Sequence, residues 1–164
     1  NYDLSLKNHL EEMLERDQAY RTQWILSRQL HHEETQYDIA LRLRADSIDS
    51  LNQVEIRQIL KEHGFPKKTE VGTSACEAAW IIIQHAPLDV QKEYLPMLER
   101  AATEGNIQAA LVAALHDRID VREGRPQKYG TQRNHNGICP LLNKKMVNQW
   151  RKEVGLPPLD EYSK

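Results

Sequence analysis

The chain is poor in the features that usually announce a function. Two cysteines in 164 residues, Cys76 and Cys139, make no disulfide framework and no tetrahedral thiolate site. Cys76 falls in an apolar helix and reads as a buried thiol. No apolar run approaches the roughly 20 residues that a membrane span needs; the longest, residues 78–83, has the length of a core-helix segment. Neither sign of charge is in excess. The formal net charge is −2 with both signs interspersed, which leaves no basic footprint for nucleic acid and no polybasic membrane patch. There is no phosphate-cradling glycine loop, no dinucleotide fingerprint and no internal repeat. No Ser/Cys–His–Asp nucleophile arrangement is evident. His85, His116, Asp117 and His135 are scattered, with no HxxxH pair among them, so neither a metal site nor a cofactor is expected.

What is present is helical periodicity. A chain of this length, 40% hydrophobic and 28% charged, is long enough to bury a core. The expected fold is mainly α: a single-domain helical bundle with one small β-hairpin near residues 126–142. N-terminal helices occupy residues 1–65, core helices 72–123, the hairpin 124–142, and a terminal helix and tail 143–164. Leu6, Leu10, Met13, Leu14, Asp17, Arg21 and Trp24 share one helical stripe. Asp17 interrupts its apolar character, and Arg21 one turn later suits an i,i+4 ion pair. His31, His32, Glu33 and Glu34 read as a solvated helix face. Asp46, Ser47, Asp49 and Ser50 offer N-caps for a helix that runs to about His63, where Gly64 and Pro66 stop it. Thr73 or Ser74, with Glu77 three or four residues on, opens an apolar helix that Pro87 ends after His85. Residues 88–104 are helical around Pro96, which predicts a kink or two short helices. Ile107, Leu111, Leu115 and Ile119 mark the next helix, expected to end near Arg118. Met146, Val147, Trp150 and Val154 mark the last, with Asn143 as its cap.

Three segments set polar groups beside apolar faces. His85 leaves the end of a core helix, where it can act as acid or base or be a satisfied core histidine. Asp117 and Arg118 emerge beside the Leu111–Leu115 stripe. Asp117 can orient His85, pair with Arg118 or accept from a backbone amide, and the Arg118 fork suits a carboxylate or phosphate. Read as a strand, residues 127–132 alternate, with Gln127, Tyr129 and Thr131 on one face and Lys128, Gly130 and Gln132 on the other. Gly130 in such a strand points to a bulge or a close backbone approach.

These segments also carry a resemblance. Trp80 to Ala86 with its I-Q-H-A, Tyr94 to Leu98, the D-R-I of residues 117–119 and the Q-K-Y-G-T-Q of residues 127–132 resemble an uncharacterised bacterial family with I-Q-H-A, D-R-I and Q-x-Y-G-T-Q segments in this order. Asp17, Gln18, Ala19, Tyr20 and Arg21 match near its start, and Val147, Asn148, Arg151, Val154, Gly155 and Leu156 match its closing pattern. The resemblance implies that His85, Asp117, Arg118, Gln127, Tyr129, Gly130, Thr131 and Gln132 form one constellation. It also implies an exported or cell-envelope location, with any targeting segment missing from this chain. It brings no activity with it.

Two readings follow. In one, His85 and Asp117 do acid–base work in a pocket where Arg118, Gln127, Tyr129, Gly130, Thr131 and Gln132 bind a small anionic or polar ligand. In the other, the same residues form a buried polar network in a structural or protein-interaction module. Neither names a reaction or an oligomeric state, and whether the chain is an enzyme is open.

Overall fold

In the computed structural model, which describes residues 2–30 and 33–159, six helices and one two-stranded antiparallel hairpin make the described chain mainly α, as its periodicity predicts. The chain divides into two compact units, Asn1–Ala86 and Pro87–Lys164.

The first unit is built on two long helices, α1 (Leu4–Leu30) and α2 (Gln36–His63), with α3 (Lys68–Gln84) packed on both. Their core is Leu10 and Met13 of α1, Ile56 and Leu60 of α2, and Ala75, Ala78, Ala79, Ile82 and Ile83 of α3. The α2 start differs from the expected one near residues 46–50. Thr35 and Asp38 form a reciprocal capping box, the Thr35 hydroxyl accepting from the Asp38 amide and the Asp38 carboxylate from the Thr35 amide at 2.8 Å. This begins the helix at Gln36, and nothing breaks it afterwards. Ser47 and Ser50 are not caps; their hydroxyls donate to the carbonyls of Leu43 and Asp46 one turn back. His31 and His32 lie outside the described residues, while Glu33 and Glu34 are exposed and non-helical.

Gly64 ends α2 as expected, at φ +70°. The α3 span is interrupted at Gly72, whose φ of 84° is non-helical. The apolar helix therefore opens after Gly72, preceded by one extra turn from Lys68. Ser74 does not cap it; its hydroxyl donates to the Glu11 carboxylate of α1. Buried Asn52 joins α1 to α2, its amide donating to the Met13 carbonyl at 3.1 Å and its oxygen accepting from Arg16 at 2.7 Å. Gln53 joins α2 to α3 through the Ile82 carbonyl, 3.0 Å away. The Gln53 bond ties α3 to α2 one turn before His85. Cys76 is buried and donates to the Pro66 carbonyl, and burial pushes its thiol up to about 11, which leaves it inert at neutral pH.

In the second unit, α4 (Leu88–Thr103) packs on α5 (Ala109–Arg122). Residues 88–103 form one helix rather than two, because Pro96 sits on the exposed face. There the carbonyl that its missing N–H leaves unpaired can face water. The α5 helix runs one turn past the expected end at Arg118, and Arg122 donates to buried Gln91 of α4 at 3.0 Å. The hairpin lies within the expected range and is shorter: β1 (Arg133–Asn134) pairs with β2 (Gly137–Ile138) across a turn at His135 and Asn136. The last helix, α6 (Val147–Glu153), follows a turn capped by Asn143, whose side-chain oxygen accepts from the Lys145 and Met146 amides. The end of the described chain packs back on α6. Leu159 is buried, and its amide donates to Asn148 at 2.8 Å.

The capping box yields a direct check. Thr35→Ala should lower stability by about 1 kcal/mol and speed amide exchange in the first turn of α2, whereas Thr35→Ser should change little. Equal exchange in the two variants would count against this start of α2.

Candidate functional site

In the first unit, the Asp17 interruption of the α1 stripe is where chemistry gathers. Asp17 is fully buried at its side chain, and its Oδ1 lies 2.9 Å from Nδ1 of His85, the residue that caps the end of α3. Its Oδ2 accepts from Gln18 at 2.6 Å and lies 3.5 Å from Nε of Arg21, the expected i,i+4 partner. Arg21 continues outward to Asp49 on α2, giving both Asp49 oxygens one Nη2 contact, at 2.6 and 2.8 Å. A chain of four charged or titratable groups results: Asp49, Arg21, Asp17, His85. Because an ionised carboxylate only accepts, His85 carries its hydrogen on Nδ1 and, in the neutral ring, a lone pair on Nε2. The ring is 18% exposed, and Nε2 has no protein partner among the described residues.

The two carboxylates move in opposite directions. Burial works against an ionised Asp17, but the His85 hydrogen bond and the His85 and Arg21 charges outweigh it, holding Asp17 below its ordinary value. For Asp49, burial wins over Arg21, and with the Asp17 charge it holds the carboxyl above its ordinary value. Ionised Asp17 thus stabilises the fold above its unfolded-state value, and this is lost as pH falls through the lower folded value. Asp49 favours the fold in its protonated form, an advantage lost as pH rises through its raised folded value.

In the second unit, Asp117 has a different environment. It is fully buried, and it accepts from the amides of Lys128 and Tyr129 at 2.9 Å, the Thr131 amide at 3.0 Å and the Thr131 hydroxyl at 2.9 Å. Residues 127–132 are therefore not a strand. Successive amides turn toward one carboxylate, which the two-residue alternation of a strand forbids. Only Gln127 makes a bridge, with Leu141. Its buried side chain is saturated: the amide donates to the Gln132 and Cys139 carbonyls, and the oxygen accepts from the Gln132 amide. Gln132 donates to the Ala114 carbonyl of α5 at 3.3 Å and to the Thr131 hydroxyl at 3.0 Å. Buried Arg151 of α6 closes the network, donating to the Tyr129 carbonyl at 2.7 Å and the Pro157 carbonyl at 2.6 Å.

The expected close approach at Gly130 is present. It has φ +69°, and a Cβ there would lie 2.7 Å from a Leu159 methyl and 3.1 Å from one of Leu141. Tyr129 meets His116 edge to face, with centroids 6.4 Å apart. Arg118 is half-buried on α5. Asp17 thus fills the place offered to Asp117 as orienter of His85, and Asp117 takes the backbone-amide role.

The model of the Family of unknown function (DUF6624) matches residues 4–164. The chain belongs to this family. No curated protein and no solved structure matches it. DUF6624 membership covers both units, and it carries no activity.

Among the described residues of this DUF6624 chain, two groups have the spacing of metal ligands: Asp17, Asp49 and His85, and His116, Asp117 and Asp120, each with ligand atoms within 4.8 Å of one another. The first already encloses the Arg21 guanidinium, a resident cation that a metal would have to displace. In the second, Asp117 has both oxygens engaged by amides and a hydroxyl. Of the residues around His85, Asp17 and Arg21 were visible as a polar break in an apolar stripe and as part of the resemblance. Asp49 sat among apparent caps and carried no signal.

Asp117→Asn should destabilise by several kcal/mol, since its –NH₂ would face amides that lose their acceptor. Exchange at residues 128–131 should rise with it. An Asn variant that unfolds at the wild-type denaturant midpoint would refute the role given to Asp117. From the opposite shifts, Asp17→Asn should flatten the loss of stability on acidification through about pH 4, and Asp49→Asn should steepen it. Urea midpoints between about pH 3 and 6 read both.

Proposed function

We propose that this chain performs proton transfer on a small polar molecule at Nε2 of His85. One observation carries the reading: the 2.9 Å contact of buried Asp17 with Nδ1, which leaves Nε2 without a protein partner among the described residues. A fixed tautomer gives a neutral imidazole that accepts a proton at one defined atom and returns it from there. Asp17 is the positioning residue. Arg21, between Asp17 and Asp49, supports an ionised Asp17 and so keeps the hydrogen on Nδ1. His85 retains the acid–base role expected of it, with Asp17 in place of Asp117 behind it.

For the second unit, the structural reading is favoured by a specific observation: Asp117, Gln127, Thr131 and Gln132 spend their polar atoms on one another and on backbone. We assign them to locking the 127–132 segment onto α5. The role proposed for Arg118 stays the one its fork suits, holding a carboxylate or phosphate.

The test couples a metabolite screen to two variants. Turnover of at least one small polar compound is expected, with His85→Gln lowering kcat by about a hundredfold or more while the thermal midpoint stays near wild type. Asp17→Asn should lower kcat more than it changes KM, and should shift the His85 ¹⁵N resonances toward the other tautomer. Full turnover in His85→Gln, or no compound consumed by the wild type, would sink the proposal.

A further inference from the structure

The second unit contains a cleft of about 260 Å³ that the acid–base reading does not use. Its walls include Ala109, Val112, Ala113 and Val154, all small and aliphatic. Four polar side chains line it as well: Glu99 and Thr103 of α4, His116 of α5 and Tyr129; the Thr103 hydroxyl is spent on the Glu99 carbonyl at 3.0 Å. His116 Nδ1 lies 3.2 Å from Asp120, which leaves Nε2 as the ring's other polar atom. The Lys128 ammonium lies over the Tyr129 ring, 5.1 Å from its centroid, so the free element that Tyr129 offers is its hydroxyl. Among the described residues, the Glu99 carboxylate, His116 Nε2 and Tyr129 hydroxyl have no protein partner. Asp120, by contrast, is held by Arg125 at 2.6 Å. Among the described lining residues, the Glu99 side chain is therefore the one carboxylate, and it is unpaired.

We propose that this cleft binds a small organic ammonium ion: an apolar body of about ten non-hydrogen atoms against the aliphatic walls, its charged nitrogen at Glu99 and a hydrogen-bonding edge at Tyr129 and His116. Glu99 selects charge, the aliphatic walls select an apolar body, and the phenol and imidazole orient it. The cleft is lined by residues of the second unit, and the proposal does not rest on the reading given to His85.

Three probes of one size separate the contributions: benzylamine, benzyl alcohol and benzoate, titrated at neutral pH into the ¹⁵N-labelled full chain. Benzylamine should shift the amides of Thr103, Val112 and Ala113 and bind about tenfold or more tightly than benzoate, with the alcohol between them. Glu99→Gln should bring amine and alcohol together, and Ala109→Trp, at an exposed position on the first turn of α5, should abolish all three responses with the helical circular dichroism unchanged. His85→Gln should leave the titration as it is. Equal affinity for the three probes, shifts outside the cleft, no response to about 10 mM benzylamine, or charge preference surviving Glu99→Gln would each overturn the assignment.

Discussion

A carboxylate taken out of water must be given donors or give up its charge, and each unit is organised around one such group. Asp17 and Asp117 are both fully buried on helices, where the helix's own amides are already committed. Their donors have to come from elsewhere in the fold. Asp117 draws them from a segment 11 to 14 residues further on, which wraps its amides around the carboxylate. Asp17 draws them from side chains on α1 and at the end of α3. One solution uses up every acceptor site on a structural closure. The other leaves a nitrogen over.

This difference separates the two halves of the original constellation. A carboxylate surrounded by amides cannot move a proton without breaking the loop that it holds, so Asp117 is poorly suited to acid–base work. A carboxylate against one imidazole nitrogen fixes a ring whose second nitrogen remains available. Arg21 adds to this by standing against Asp17, which burial would otherwise push toward neutrality, while at Asp49 burial prevails. The shift of Asp17 downward and of Asp49 upward follows from which of them holds the imidazole and which shares only the guanidinium.

Much of the helical architecture was legible because local signals and burial agreed. Gly64, Pro87, Asn143 and Gly155 punctuate helices where their backbone preferences say they should. The α2 helix starts earlier than the serines and aspartates at residues 46–50 suggest, because the Thr35–Asp38 pair caps it first. A reciprocal box satisfies two backbone donors at once, while an isolated serine in a helix simply bonds back to its own turn. Residues 127–132 depart from a strand for a different reason. Glycine in a polar run suggests a strand, and nothing local reports a carboxylate ten residues upstream that will collect its amides.

The sequence by itself determined the helical class, most helix ends, the Asp17–Arg21 pair and the residues gathered in the family motifs, since these depend on spacing within a turn or two of chain. Only the tertiary structure decided that His85 meets Asp17, that Asp49 completes the pair, and that Asp117 holds a loop. Those partnerships join residues 68, 28 and 11 to 14 positions apart, and a buried charge takes whichever donor the packing brings to it.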